Sequence, residues 1–315
     1  MPAASRYAGG VRTSTWIVLA AVAMAAALLL WSRTRDVDAP ASAPPPPAAA
    51  SRTDVTAAAT PAAAPRVVRE ARVDPMSAYL DAASLRRFVD QYLPRALGGD
   101  GEAAFAVFLA LNECDGVVSE EPLAGILDDP RSHPEVAARR AAYENRFTRC
   151  DGVQYVPNAG KLPRELVDAG VRAGYAPALA VDLATADARD AQVAARARDL
   201  MPRVDGLGIA SFSNYVFNRN NGPALGNPPV TYDQTVYAAA WTLAACDLGL
   251  DCSRTSRLLE RMCIYENRCG LENYRAYLSV SVPPDRVAAA SDLHERILAA
   301  LRTGDAAFFG IAPAR

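Results

Sequence analysis

From Pro75 onward, apolar residues recur at steps of three and four, the spacing of helices that bury one face. Leu85, Phe88, Val89 and Tyr92-Leu93 line a helix that Pro94 disturbs and Gly98-Gly99 ends. Asp100 caps a second helix, striped by Phe105, Phe108-Leu109 and Leu111 and closing near Cys114. Residues 134–149, 162–171, 175–184 and 190–200 continue the pattern. Residues 232–246 form an apolar helix with Thr231 as its cap. Helices over 253–262 and 271–278 follow, and Pro283-Pro284 opens a last one that reaches Leu301. No run of six alternating positions supports a strand, and the only strand-like step in the last third is Ser279–Val282. The expected fold class is all-α: stacked helical hairpins or an irregular helical domain over residues 75–315.

One segment breaks this texture. Residues 206–229 are rich in Gly, Asn and Pro and carry Phe212, Asn214, Tyr215, Phe217 and Arg219. They read as a long loop whose aromatics either pin it to the core or, with Asn214 and Arg219, bind a partner or a glycan.

The first 74 residues have a different pattern. Residues 15–31 carry no charge and no strong helix breaker; at helical rise these seventeen residues span about 25 Å, enough to cross a bilayer at the lower limit. Trp16 and Trp31 stand at its two ends, where indoles favour the headgroup region. Arg6 and Arg12 precede the span and Arg33 and Arg35 follow it, so charge alone does not orient it. A cleaved signal peptide wants small residues just after the apolar run. Here the run ends in Trp-Ser-Arg-Thr-Arg, which favours an uncleaved anchor. Residues 36–74, with Pro44-Pro45-Pro46-Pro47, have almost no large apolar side chain and read as a disordered, semi-stiff tether.

All six cysteines lie beyond the tether: Cys114, Cys150, Cys246, Cys252, Cys263 and Cys269. An even number confined to the body fits disulfides in an oxidising compartment. Cys114 pairs with Cys150, each opening a Cys-Asp-Gly-Val tetrapeptide, and two bridges link the last four, either locally as 246–252 and 263–269 or crossed. Zinc fits poorly, because both late spacings are C-x5-C and the two histidines, His133 and His294, stand apart from the cysteines. Disulfides would place the body in the periplasm and residues 1–14 in the cytoplasm, making the chain a single-pass protein of a bacterial inner membrane.

Gly99-Asp-Gly-Glu-Ala103 and Ala173-Gly-Tyr-Ala-Pro-Ala178-Leu179 resemble the turn and helix start of tetratricopeptide-like repeats. In that family a glycine ends one helix and an alanine four residues on lets the next pack closely. Gly99/Ala103 and Gly174/Ala178 match that step, Gly304 to Ala307 echoes it, and the two Cys-Asp-Gly-Val units stand 36 residues apart, the family's period. The likeness covers about 100 residues; it implies a protein-binding scaffold and carries over no ligand residue.

Charge and motifs exclude more than they select. A net charge of -2 argues against a basic nucleic-acid binder. No G-x-S-x-G elbow, HExxH, Walker loop or dinucleotide fingerprint occurs, so neither cofactor nor metal is expected. His294, in Leu293-His-Glu-Arg, reads as structural and His133 as a helix-entry residue. The carboxylates Glu113/Asp115, Glu120-Glu121 and Asp128-Asp129 suit solvated helix ends. The sequence therefore points to a membrane-tethered periplasmic interaction domain that binds an envelope protein. An envelope enzyme acting on peptidoglycan or another glycan is the alternative.

Overall fold

The computed structural model describes residues 74–115, 117, 136–158 and 160–311. The expected tail 1–14, anchor 15–31 and tether up to residue 73 lie outside the described residues, as do His133, Glu120-Glu121 and Asp128-Asp129. The described part is all-α apart from one tiny hairpin. Its helices are α1 (Pro75–Leu80), α2 (Leu85–Leu97), α3 (Gly101–Cys114), α4 (Val136–Cys150), α5 (Leu162–Arg172), α6 (Ala176–Thr185), α7 (Ala191–Leu200), α8 (Ile209–Asn220), α9 (Gln234–Asp247), α10 (Arg257–Glu266), α11 (Tyr274–Ser281) and α12 (Pro284–Thr303). Among the described residues, none of the helices is long and apolar enough to cross a membrane.

Short polar side chains set the helix starts. Asp74, Ser84, Asp100, Asp190, Asp233, Ser256 and Asn273 each accept a hydrogen bond from an amide in the first turn that no helical carbonyl can reach. Asp74 thus belongs to the body as the cap of α1, not to the tether. Asp233, not Thr231, caps α9, because its carboxylate takes both the Thr235 and Val236 amides.

Two hydrophobic cores result. Met76 to Ala178 build the first, where α3 packs against α1, α2 and α5; Ala180 to Ile311 build the second around α9 and α12. In the first, backbones approach closely: a Cβ on Gly170 would lie 2.5 Å from the Ala178 Cβ, and one on Gly101 2.6 Å from the Ala173 Cβ. Gly99 and Gly174 end their helices at φ +98° and +71°, the left-handed region that glycine enters without strain. Ala103 and Ala178 beyond them are fully buried.

Residues 206–229 depart from the expected loop. Ile209, Phe212, Tyr215 and Val216 sit at helical spacing and form the buried face of α8. The residues that suggested a loop flank the helix: Asn221, at φ 52°, and Gly222 end it. Beyond it, β1 (Ala224–Leu225) and β2 (Val230–Thr231) pair antiparallel, Ala224 opposite Thr231, a contact too short to leave an alternating pattern. Ser279–Ser281 are the last turn of α11 and not a strand; the prolines of α12 follow at once.

Candidate functional site

The cysteines fall where the spacing pointed. Cys114–Cys150, Cys246–Cys252 and Cys263–Cys269 are disulfides, so the late pair is local and not crossed. The first bridge ties the last turn of α3 to the last turn of α4, and one residue earlier in each helix Glu113 meets Arg149. That register makes the bridge one half of a larger junction.

Glu113 has a side chain only 10% exposed, and it accepts from three helices at once. Tyr79 of α1 donates its hydroxyl at 2.8 Å, Arg149 of α4 donates Nε at 2.8 Å, and Arg257 of α10 donates Nη1. Arg149 also reaches Glu260 of α10. Arg257 donates to the Tyr79 carbonyl and stacks its guanidinium 3.9 Å above the Tyr79 ring. Arg146 gives Nη2 to the Glu113 carbonyl and Nη1 to the Tyr265 hydroxyl, both at 2.6 Å. Arg139 donates Nε and Nη2 to the Ile264 carbonyl.

The electrostatics follow from this enclosure. Burial, and then the Glu113 carboxylate, push the Tyr79 hydroxyl well above its ordinary range, so it stays a donor. Burial alone would lower the Arg149 pKa, but Glu260 and Glu113 outweigh it and drive it up. A buried carboxylate satisfied by two guanidinium groups and a phenol fixes orientation more than it adds net stability.

Exposed apolar side chains adjoin members of this polar centre: Leu80 at 46%, Phe147 at 36% and Tyr265 at 56%. Leu80 follows Tyr79, and its carbonyl accepts from Arg257. Tyr265 lies 5.7 Å from the Arg146 guanidinium. Phe147 stacks on Tyr143 and edges a dimple of about 30 Å³ that Cys114, Val117, Cys150 and Gln154 also line. A second depression, open and of about 270 Å³, runs between α1 and α2 along Ala78, Ala82, Phe88 and Tyr92.

The residues 206–229 do not form a binding surface of aromatics. Phe212 and Tyr215 are fully buried in the second core, and Phe217 packs edge-on against Tyr237 at 5.9 Å. Arg219 donates to the Gly310 and Ala188 carbonyls, and of the five expected binding residues Asn214 alone is exposed. His294 is buried and bonds Asp247 through Nε2 at 2.8 Å, pinning α12 to the end of α9. Among the described residues no cluster of three or more His, Cys, Asp or Glu could hold a metal.

Sequence reasoning placed Glu113 at a solvated helix end and passed over Arg146, Arg149, Arg257 and Tyr79. A signal was present: the buried positions of α4 are Arg139, Tyr143, Arg146 and Cys150, so two arginines occupy a face where apolar residues are the rule. Comparison of the chain with family models, with curated proteins and with solved structures finds no match in any of the three.

Proposed function

We propose that the chain is a membrane-tethered interaction domain. In this reading residues 15–31 anchor it in a bacterial inner membrane, residues 36–73 hold it away from the surface, and the disulfide-braced body works in the periplasm. The pairing of all six cysteines supports the sidedness, since such bridges persist where thiols oxidise. The observation that carries the reading is the junction: tyrosine, phenylalanine and arginine, the side chains that dominate binding energy at protein interfaces, stand on a support locked by a disulfide and a buried ion pair. The tetratricopeptide-like steps at Gly99/Ala103 and Gly174/Ala178 fit a helical scaffold of this kind. The alternative, a glycan-cleaving enzyme, needs two carboxyls free to act on a substrate, whereas the buried Glu113 is engaged by Tyr79, Arg149 and Arg257.

The test is site-specific photocrosslinking in intact envelopes. A photoreactive residue at Tyr265 or Phe147 is expected to give one reproducible protein adduct, lost when Leu80 is also changed to Asp, while the same probe at exposed Val280 gives none. Equal labelling from all three sites, or from none, would refute the reading.

A further inference from the structure

The Glu113 junction holds more positive charge than its own acids balance. Its two carboxylates are both largely buried and both occupied: Glu113 by Arg149 and Arg257, Glu260 by Arg149. A third guanidinium, that of Arg146, has no carboxylate. Arg146 is 8% exposed and donates to two neutral acceptors, the Glu113 carbonyl and the Tyr265 hydroxyl, while its buried Nε is without a partner. A buried cation with only neutral acceptors is costly and favours an anion in its neighbourhood. The chain as a whole carries a net charge of -2, so the surplus is local to this junction.

A fourth arginine carries that surplus to the surface. Arg261 is exposed, and among the described residues it has no hydrogen-bond, ion-pair or ring partner. It stands four residues after Arg257 and four before Tyr265, so the three follow one another along α10 at steps of about 6 Å. At one end Arg257 bonds the carbonyl of exposed Leu80. At the other, exposed Tyr265 bonds Arg146 of α4, next to Phe147. The strip therefore reads apolar, cationic, apolar: Leu80, Arg261, Tyr265. Of the nearby acids, Glu266 accepts from the Tyr277 hydroxyl, and Asp151 sits with Phe147 at the dimple.

We propose that this face of α10 binds an acidic and apolar segment of a protein partner, with an Asp or Glu carboxylate on Arg261 and apolar side chains on Leu80 and Tyr265. The inference rests on the reading of the junction as an interaction surface and names the chemistry that surface selects. A carboxylate meets a guanidinium through two parallel hydrogen bonds, so the pair fixes the register of the segment as well as its charge. Apolar contacts on either side keep water from the pair, and the added negative charge lies toward the uncompensated Arg146. An anionic membrane fits this face less well. Such attraction takes a cluster of about four to eight basic residues, whereas this strip offers Arg261 between apolar side chains.

Photocrosslinking of the full chain in intact envelopes, from a photoreactive residue at Phe147, tests it. Arg261→Glu is expected to cut the yield of the protein adduct about tenfold or more, the scale for losing a charge-assisted bond and facing like charge. Arg261→Lys, which keeps the charge, should retain most of the adduct, and Arg302→Glu at an exposed position of α12 should leave it unchanged. Arg261→Gln replaces the charge reversal if thermal unfolding shows that Arg261→Glu folds poorly. Mass spectrometry of the labelled partner peptide should find an Asp or Glu beside apolar residues. Wild-type yield in both Arg261→Glu and Arg261→Gln, or a labelled peptide without an acid, would overturn the proposal and leave the junction as a contact surface. A phospholipid adduct would overturn it in favour of the membrane. No adduct from the wild-type chain would remove the reading of the junction itself, and this inference with it.

Discussion

The two cores use similar side chains but are braced differently. The first, from Met76 to Ala178, mixes the buried alanines Ala96, Ala103, Ala104, Ala106, Ala110, Ala169 and Ala178 with the rings of Tyr79, Phe88, Tyr92 and Phe105. Its helices cross at near-backbone distance, and its outer helix α4 is held by a bridge closing 36 residues and by the arginines of the Glu113 junction. The second, from Ala180 to Ile311, interlocks large rings: Phe212 against Trp241 and Phe309 at 6.2 and 5.7 Å, and Tyr237 against Trp241 at 6.0 Å. Its disulfides each close only six residues. Small residues bring helices close but bury little area each. Rings bury much and fix angles by their edges. What sets the first core apart is the combination of close helix crossings, a bridge closing 36 residues and the ion pairs of Glu113.

The sharpest way to break this contrast is a pair of truncations. Glu113→Ala strands Arg149 and Arg257 without their carboxylate and is expected to lose about 3 kcal/mol or more, the scale for removing one partner of a buried pair. Phe212→Ala opens a void among fully buried rings and is expected to lose about 3–5 kcal/mol. The two differ in what restores them. Changing Glu113, Arg149 and Arg257 together to apolar residues of similar size should recover most of the first loss, whereas no change of charge recovers the second. Urea unfolding of the single and combined variants decides this; a combined variant as unstable as Glu113→Ala alone would mean that the junction is not an isolated electrostatic unit.

The disulfides sharpen the comparison next. By chain entropy a bridge closing 36 residues is worth about 4 kcal/mol and one closing six about 2 kcal/mol. Cys114→Ser/Cys150→Ser should therefore lower the thermal midpoint about twice as far as Cys246→Ser/Cys252→Ser, measured without reductant. Equal shifts would show that the long bridge cross-links helices already fixed by the Glu113 network.

Much of this organisation is legible in the sequence, and its gaps have physical reasons. Periodicity places α5, α6 and α7 within a residue or two, because each has one apolar stripe and a plain start. The α8 helix is hidden because its apolar positions are aromatic and lie between Gly208 and Asn221-Gly222, so composition outweighs spacing. Pairing of Cys114 with Cys150 follows from their matched tetrapeptides, and the local closure of the last two bridges stays open until the short α9–α10 and α10–α11 turns are seen. The junction is the hardest to read. Its members come from α1, α3, α4 and α10, separated by up to 178 residues in the chain, and local patterning carries no information about which arginine a given carboxylate will meet.

The smallest expected effect tests the close crossing in the first core. Gly170 lies in the interior of α5, where alanine ordinarily stabilises a helix by about 1 kcal/mol. Here the added methyl would sit 2.5 Å from the Ala178 Cβ, well inside contact distance, so α5 and α6 must part. Overpacking of this kind costs about 1–3 kcal/mol, which exceeds the propensity gain and leaves Gly170→Ala destabilised by about 1 kcal/mol net. The compensating change is Ala178→Gly, which removes the methyl on the other side. It should cost stability alone, through lost burial and a glycine within α6, yet lose less beside Gly170→Ala than by itself. A double-mutant cycle by thermal unfolding reads that coupling directly. Strict additivity would mean that the helices shift apart without strain, and the tight crossing would then not distinguish this core from the second.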